Sequence, residues 1–308
     1  MTTRRVAAID CGTNTIKLLI GARSEDGLDV DVREMRMVRL GQGVDRTGVL
    51  ADEALARTFA AIDEYAALIR DHGVERTRFV ATSATRDAAN ADVFVAGVRE
   101  RLGLEPEVVA GEEEAALAYA GAVRHLRHEP RLPVLVVDIG GGSTELIDGH
   151  TLTGDPAAAH SMDIGSVRLH ERHLRSDPPT TAEIDACVRD IEEHLDESPV
   201  TVEQAATVVG VAGTVTQLAV GVLGLAAYDR EAVDQAELAV GDVHALVDRL
   251  LRLSVAERRA LPWMHPGRAD VIGAGGLILS RVLRRARVER LVVSESDILD
   301  GIAWSIAE

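Results

Sequence analysis

An acid, a glycine turn and hydroxyl side chains follow an apolar run at two places in the chain. The two segments read AIDCGTNTIKLL (8–19) and VVDIGGGSTEL (136–146), and they align with Asp10 opposite Asp138. A glycine turn lets backbone N–H groups approach a phosphate, because glycine has no Cβ to block the approach. The two segments therefore predict two phosphate-binding turns of similar structure.

The chemistry of these turns would involve a metal as well as a phosphate. Asp10 and Asp138 cannot favourably contact a bare phosphate, and their natural partner is a divalent cation such as Mg²⁺. A single copy could also be a tight hairpin turn with incidental polar residues, but two matched copies favour binding. The candidate phosphate ligands are Gly12, Thr13, Asn14 and Thr15 in the first turn and Gly140, Gly141, Gly142, Ser143 and Thr144 in the second.

Composition excludes several classes of protein. The chain has 308 residues, 46% hydrophobic and 27% charged, which is typical of a soluble globular protein and long enough for two domains. A net charge of −17 argues against sequence-independent binding to nucleic acid, which needs many cationic side chains. The uncharged stretch 205–227 contains threonines, a glutamine and glycines, which favour a buried strand and helix over a membrane span.

The N-terminal segment and the cysteines indicate a cytoplasmic location. The first acid follows only four apolar residues, too few for the hydrophobic part of a secretory signal. Cys11 and Cys187 form no C-x-x-C pattern, so neither a zinc site nor a disulfide framework is indicated. We therefore expect a protein of the reducing cytoplasm.

Apolar periodicity predicts which elements must position the two turns. In the first half it predicts strands at 5–10, 15–23, 28–40, 76–82 and 104–109, and helices or helical regions at 51–70, 85–103 and 111–126. In the second half it predicts a strand pair around the second turn, a third strand at 157–165, helices at 166–175 and 181–195, a strand with a glycine turn at 206–213, a mostly helical remainder and a last strand at 290–295.

This alternation of strands and helices predicts an α/β protein with mixed sheets. A polar segment at 127–133 with two prolines suggests a boundary between domains at 1–128 and 129–308. The duplicated turn resembles the two phosphate loops of the superfamily that contains actin, the Hsp70 ATPase domain and sugar or acetate kinases. That resemblance implies two ribonuclease-H-like (actin-like ATPase) domains, phosphates bound in an interdomain cleft, and a final helix able to pack back on the N-terminal domain.

A narrower resemblance rests on seven segments that occur in one order along nearly the whole chain. They resemble the exopolyphosphatase and guanosine pentaphosphate phosphohydrolase (Ppx/GppA) family. The segments are ATSATRDAAN (81–90), GEEEAALAY (111–119), DIGGGSTEL (138–146), DIGSVRL (163–169), VAGTVTQLA (211–219), GRADVIGAGGLIL (267–279) and VSESDILDG (293–301).

The resemblance implies roles for individual residues. Glu114 corresponds to the family's catalytic base, and Glu145 to a second essential acid that, with Asp138, would help to position Mg²⁺ or the water. Arg86 corresponds to an arginine that contacts phosphate, for which its guanidinium fork is suited. Each residue also has a purely structural interpretation. Glu114 could be an acid in the first turn of a helix, and Arg86 an ion-paired arginine at a helix end.

Together these features predict a cytoplasmic exopolyphosphatase that uses Mg²⁺ or another divalent cation to release terminal phosphate from polyphosphate. Shorter chains are expected to be preferred, because the chain has no room for the C-terminal helical domains of longer relatives. The alternatives are hydrolysis of guanosine pentaphosphate to the tetraphosphate, a non-catalytic actin-like or alarmone-binding sensor, and a sugar or acyl kinase. We expect a homodimer with no nucleic-acid or membrane partner. Arg168 and the divergent segment 295–301 receive no assigned role.

Overall fold

The structure is a computed structural model that describes residues 4–24, 27–124, 126–127, 129–152 and 155–307. The first strands and helices are β1 Arg5–Cys11, β2 Thr15–Arg23, β3 Leu28–Met37, α1 Val44–Thr47, α2 Asp52–Asp71, β4 Arg76–Ala81, α3 Ser83–Arg86, α4 Ala91–Leu102, β5 Glu107–Val108 and α5 Gly111–Val123. The remaining ones are β6 Val134–Ile139, β7 Thr144–Gly149, β8 Ala158–Met162, α6 Ser166–His173, α7 Thr181–Glu197, a 3₁₀ turn Val202–Gln204, β9 Thr207–Val211, α8 Ala212–Val222, α9 Arg230–Val233, β10 Glu237–Ala239, α10 Val240–Arg252, α11 Val255–Arg259, α12 Ile272–Ala286, β11 Arg290–Val293 and α13 Ile298–Ala307.

These elements form two compact units. Unit 1 runs to Gly121 and also includes the chain from Ile298 onward, whereas unit 2 comprises Ala122–Asp297. Residue 128, at the boundary predicted from sequence, lies outside the described residues. Each unit has its own buried apolar cluster, so each sheet is packed against helices of the same unit.

The two sheets share one topology. In unit 1 the strand order is β3-β2-β1-β4-β5, with β1, β2 and β3 antiparallel in sequence and β4 and β5 parallel to β1. In unit 2 the order is β8-β7-β6-β9-β11, extended by the antiparallel strand β10. An antiparallel meander followed by parallel strands is the ribonuclease-H-like arrangement, so the predicted fold of two such units with mixed sheets is confirmed.

The two hairpins also pair in the same register. Asp10 faces Lys17 across β1 and β2, and Asp138 faces Glu145 across β6 and β7. Strands β1 and β6 are buried almost throughout, as expected for central strands with helices on both faces. The turn that follows each central strand is therefore held on a rigid base.

Two of the predicted elements are corrected by the structure. The helical region predicted at 85–103 is divided into α3 and α4, because Asn90 exchanges two hydrogen bonds with the backbone of Leu50, at 2.8 and 3.0 Å, and interrupts the helix. The glycine turn predicted after β9 is wrong, since α8 begins directly at Ala212. Gly213 serves close packing instead: a Cβ there would lie 2.0 Å from Nη1 of Arg268.

Candidate active site

The turn between β6 and β7 is held in place through its carbonyl groups. Three consecutive carbonyls accept hydrogen bonds from the start of α6. The Ser166 amide donates to Gly140 O at 2.9 Å, and the Arg168 amide donates to Gly141 O at 3.1 Å. The Arg168 side chain adds a bond from Nε to Gly142 O at 2.8 Å. Arg168, which received no role from the sequence, therefore braces the turn.

This bracing leaves three amides directed away from α6. A trans peptide unit is planar, with its N–H opposite to its C=O, so the amides of Gly141, Gly142 and Ser143 face the other side. No residue in the described ranges accepts a hydrogen bond from them. Amides arranged in this way are suited to bind an anion, because an unsatisfied buried donor costs about 1 to 3 kcal/mol.

The turn between β1 and β2 follows the same plan with fewer braces. The Gly12 amide donates to Thr15 O at 2.9 Å, and the Gly140 amide donates to Ser143 O at 3.0 Å in the second turn. Asn14 O accepts two amides, those of residues 38 and 39, and these bonds end strand β3. The Asn14 carbonyl and the Thr15 amide belong to one peptide unit. The Thr15 amide therefore points away from residues 38 and 39.

Thr144, predicted as a phosphate ligand, belongs to the framework. Its hydroxyl donates to Ile164 O at 2.7 Å, and the residue is fully buried. A hydroxyl has only one proton to donate, so Thr144 cannot donate a second hydrogen bond to phosphate. In this structure the Thr144 hydroxyl is used within the protein, whereas the neighbouring Ser143 lies in the turn itself.

The acids at the ends of β1 and β6 face residues of different charge across their hairpins. In unit 1 the Lys17 Nζ lies 3.1 Å from Asp10 Oδ2, so the charge of this buried carboxylate is already balanced. In unit 2 the residue opposite Asp138 is Glu145, which is 1% exposed and accepts a hydrogen bond from Ser161 at 2.8 Å. Unit 2 thus places two carboxyl groups opposite each other at the end of the hairpin.

This donor set fits Mg²⁺ better in unit 2 than in unit 1. Within the described ranges no three His, Cys, Asp or Glu side chains are grouped closely enough to enclose a metal. Mg²⁺ does not require such a cage, because it keeps several waters and is usually bound by one or two carboxylates plus substrate phosphates. Asp138 and Glu145 provide such a pair, whereas Asp10 is paired with Lys17.

Of three successive acids at the start of α5, the fold buries one. Glu112 and Glu113 are exposed, and Glu114 is 7% exposed. Burial raises the pKa of Glu114 to about 7, against the opposing effect of Arg86, and Asp10 raises it further. A carboxyl group with this pKa can accept a proton from water near neutral pH, as a general base must.

Arg86 and Thr82 hold the Glu114 carboxylate. Arg86 Nη1 donates to Glu114 Oε2 at 3.2 Å and to Val109 O at 2.9 Å. The Thr82 side chain, as a hydrogen-bond donor, also lowers the pKa of Glu114. The guanidinium predicted to contact phosphate is therefore paired with the predicted base.

The segment ATSATR joins this carboxylate to the first turn. The hydroxyls of Thr13 and Ser83 lie 3.0 Å apart, and both residues are buried. Unit 1 thus brings together Thr13, Asp10, Arg86 and Glu114 around α3. Sequence reasoning missed Thr82, Ser83, Lys17 and Ser161; the only signal was the run of hydroxyl residues beside Arg86.

In the part of the chain that the structure describes, no helix is both long enough and apolar enough to cross a membrane.

Comparison with known proteins identifies relatives along the full chain. The model of the Ppx/GppA phosphatase family matches residues 20–308. Exopolyphosphatase 2 of Mycobacterium tuberculosis is 48% identical over the whole length of both chains. A guanosine-5'-triphosphate,3'-diphosphate pyrophosphatase of Photobacterium profundum is 31% identical over 90% of this chain and 51% of that protein.

A solved structure of an exopolyphosphatase-like protein agrees with this fold. Its TM-score is 0.94 at 43% identity, and the match covers 99% of this chain and 98% of that one. All seven sequence segments lie within residues 20–308, which the family model matches. The chain belongs to the Ppx/GppA phosphatase family.

Proposed function

We propose that this protein is an exopolyphosphatase, a hydrolase that removes terminal orthophosphate from inorganic polyphosphate. The observation that carries the proposal is the braced turn of unit 2, in which the amides of Gly141, Gly142 and Ser143 are directed outward and have no partner among the described residues. The full-length similarity to a mycobacterial exopolyphosphatase supports the same substrate.

The reaction needs a base, a phosphate cradle and charge neutralisation. Glu114 takes a proton from a water whose oxygen attacks the terminal phosphorus, while the bond from that phosphorus to the bridging oxygen breaks. The products are orthophosphate and a polyphosphate shorter by one unit. In unit 1 the Arg86 guanidinium would bind phosphate oxygens, and in unit 2 the amides of residues 141–143 would do so.

Mg²⁺ belongs to this proposal as the cofactor. Asp138 and Glu145 would hold it, and the ion would neutralise part of the charge on the phosphate oxygens. The hydrogen bond from Ser161 fixes the Glu145 carboxylate in one orientation. Removal of divalent cations with a chelator is expected to abolish turnover, and added Mg²⁺ is expected to restore it.

Phosphate release tests the proposal directly. Wild type and Glu114→Gln would be assayed on polyphosphate, guanosine pentaphosphate and ATP, with and without Mg²⁺. We expect release from polyphosphate by the wild type and a loss of at least 100-fold, on the order of a general base's contribution, in the variant. No release from any substrate by the wild type would refute the hydrolase assignment. Full activity of the variant would refute the role of Glu114.

The second candidate function is hydrolysis of guanosine pentaphosphate. It is favoured by the 31% identical relative whose name gives that activity. The ratio of kcat/KM on the two substrates decides between the candidates. Polyphosphates of graded length measure the proposed preference for shorter chains, and equal or better turnover on very long chains would refute it.

The location and assembly complete the proposal as a cytoplasmic homodimer. Cys11 and Cys187 are buried free thiols, which suits a reducing compartment. Light scattering on the purified protein measures the assembly, and a monomeric mass would refute the dimer.

A further inference from the structure

We propose that Arg86 is shared between Glu114 and the terminal phosphate of the substrate, so that phosphate binding and the Arg86–Glu114 ion pair compete. In the free protein Arg86 restrains the base, and the arriving phosphate draws the guanidinium away from it. This inference rests on the proposed function, because it takes the ligand of unit 1 to be a phosphate chain.

The geometry of Arg86 allows it to be shared. Both hydrogen bonds that the structure gives its guanidinium, to Glu114 Oε2 and to Val109 O, come from Nη1. In the described ranges Nε and Nη2 have no partner. A guanidinium presents five donors in a planar fork, and phosphate is matched by two of them at once. The Nε and Nη2 groups of Arg86 can therefore donate together to an anion.

The exposure of the two partners indicates which one an anion reaches. The Arg86 side chain is 27% exposed, whereas the Glu114 side chain is 10% exposed. A phosphate therefore meets the guanidinium before it meets the carboxylate. Because a terminal phosphate carries more negative charge than one carboxylate, it is the stronger partner for the same cation.

Release of Arg86 does not leave Glu114 disordered. The Thr82 side chain is a second group that, as a hydrogen-bond donor, lowers the pKa of Glu114. Thr82 itself is 4% exposed and lies directly after β4, which pairs with β1. Thr82 is thus a positioning residue that keeps the base oriented when its cation partner moves to the phosphate.

The neighbouring Glu113 provides a matched control. It lies in the same first turn of α5 and is also paired with an arginine, Arg78, at 2.7 Å. Its side chain is 51% exposed, and Arg78 is further held by Glu107. Glu113→Gln removes the same charge from the same turn without touching the pair between Arg86 and Glu114.

Binding of a triphosphate with methylene bridges, which is not hydrolysed, tests the competition. Calorimetric titration at pH 8 with Mg²⁺ would compare wild type, Glu114→Gln, Arg86→Gln, the double variant and Glu113→Gln. Competition predicts that Glu114→Gln binds tighter than wild type, on the order of tenfold for one charge-assisted hydrogen bond. It also predicts that the double variant binds no tighter than Arg86→Gln and that Glu113→Gln matches the wild type.

Three results would overturn the inference. Weaker or unchanged binding by Glu114→Gln would mean that Glu114 only positions Arg86. An equal gain in the Arg86→Gln background would mean simple charge repulsion without a shared arginine. If none of the proteins bound the triphosphate, unit 1 would have no phosphate ligand and the inference would fail.

A second variant and a separate assay keep these outcomes interpretable. Glu114→Asp retains the charge but withdraws it by one methylene, so it should give a partial gain in affinity even if Glu114→Gln does not fold. Phosphate release from polyphosphate by the wild type tests the proposed function on its own. Turnover without coupling would refute only the shared arginine, and coupling without turnover would refute only the hydrolase.

Discussion

Glu114 differs from the two acids beside it only in its surroundings. Glu112, Glu113 and Glu114 are consecutive and chemically identical, yet only Glu114 is buried. Arg86 Nη1 lies 3.2 Å from Glu114 Oε2. Burial disfavours the charged form of a carboxyl group. Burial therefore brings the pKa of Glu114 to about 7, which suits the proposed role of a general base.

The raised pKa of Glu114 predicts opposite pH trends for activity and stability. Its value of about 7 in the folded protein exceeds the ordinary 4.5, so the folded state binds the proton more tightly than the unfolded state. The free energy of unfolding therefore falls as pH rises from about 4.5 through 7, whereas activity rises as the base ionises.

Glu114→Gln should accordingly be more stable than wild type at pH 8, by about 1 kcal/mol or more, with the two proteins converging near pH 5. Urea unfolding at the two pH values measures the difference, with the exposed Glu113→Gln as the control. A variant less stable than wild type at pH 8 would contradict the prediction.

At the scale of elements, the packing of α6 against the turn at 140–143 fixes the conformation of the proposed phosphate-binding turn. Gly165 precedes α6, and a Cβ on it would lie 2.5 Å from the carbonyl carbon and oxygen of Gly141. No side chain fits there without separating the helix from the turn. The three braced carbonyls and the three outward amides depend on this contact.

Gly165→Ala should therefore displace the turn and lower affinity for the methylene-bridged triphosphate by at least tenfold, with a destabilisation of about 1 to 3 kcal/mol. Ser166→Ala is the matched control, because it adds no atom and keeps the backbone bond to Gly140 O, although it removes the 3.2 Å side-chain bond to the same oxygen. Titration calorimetry measures both variants. Wild-type affinity in Gly165→Ala would show that the turn does not need this contact.

Helices α6 and α7 are joined by a charged cluster around Asp190. Its Oδ2 lies 2.6 Å from His173 Nε2 and 2.7 Å from Arg172 Nη1, and its Oδ1 lies 3.1 Å from His194 Nδ1. Burial favours a raised pKa for Asp190, but the hydrogen bonds from His194, His173 and Arg172 outweigh it and hold the pKa well below its ordinary value. The hydrogen bond to Asp190 raises the pKa of His194.

Asp190→Asn should destabilise the protein by about 1 to 3 kcal/mol. The Asp190 contribution is lost as pH falls below its ordinary pKa of 3.8, and the His194 contribution is lost as pH rises above 6.5, so the effect is largest between these values. Thermal melts across pH measure it against Asp185→Asn, an exposed residue of the same helix. An equal effect of the two substitutions would refute the cluster's role.

Periodicity predicted most elements, and it failed where a distant residue intervened. The helix predicted at 51–70 spans Asp52–Asp71, because its buried residues repeat at helical spacing. The region predicted at 85–103 is interrupted before α4, because Asn90 bonds to Leu50, forty positions earlier. The sequence of the segment itself does not indicate that Asn90 bonds to Leu50.

At the scale of the whole molecule, the chain returns to unit 1 at its end. Helix α13 packs on β1, β2 and β4, and its Asp300 pairs with Arg33 of β3. Asp300 is 4% exposed, so the pair is largely removed from water. The divergent segment 295–301, which the sequence left without a role, thus contributes an acid that secures the last helix to unit 1.

Asp300→Asn should destabilise unit 1 by about 3 kcal/mol, because breaking a buried pair leaves an uncompensated charge. Limited proteolysis and thermal melts measure the loss. Asp29→Asn, an exposed acid on the same strand as Arg33, is the control. Unchanged melting of Asp300→Asn would mean that apolar packing alone holds α13.

The sequence by itself determined the family, the duplicated hairpins and the identity of most candidate residues, because apolar periodicity and short motifs are local properties. Only the tertiary structure decided which acid of three is buried, that Lys17 balances Asp10, that Arg168 braces the turn of unit 2 and that Thr144 serves the framework. Burial, charge pairing and the direction of an amide depend on residues far apart in sequence. No local pattern encodes those partners.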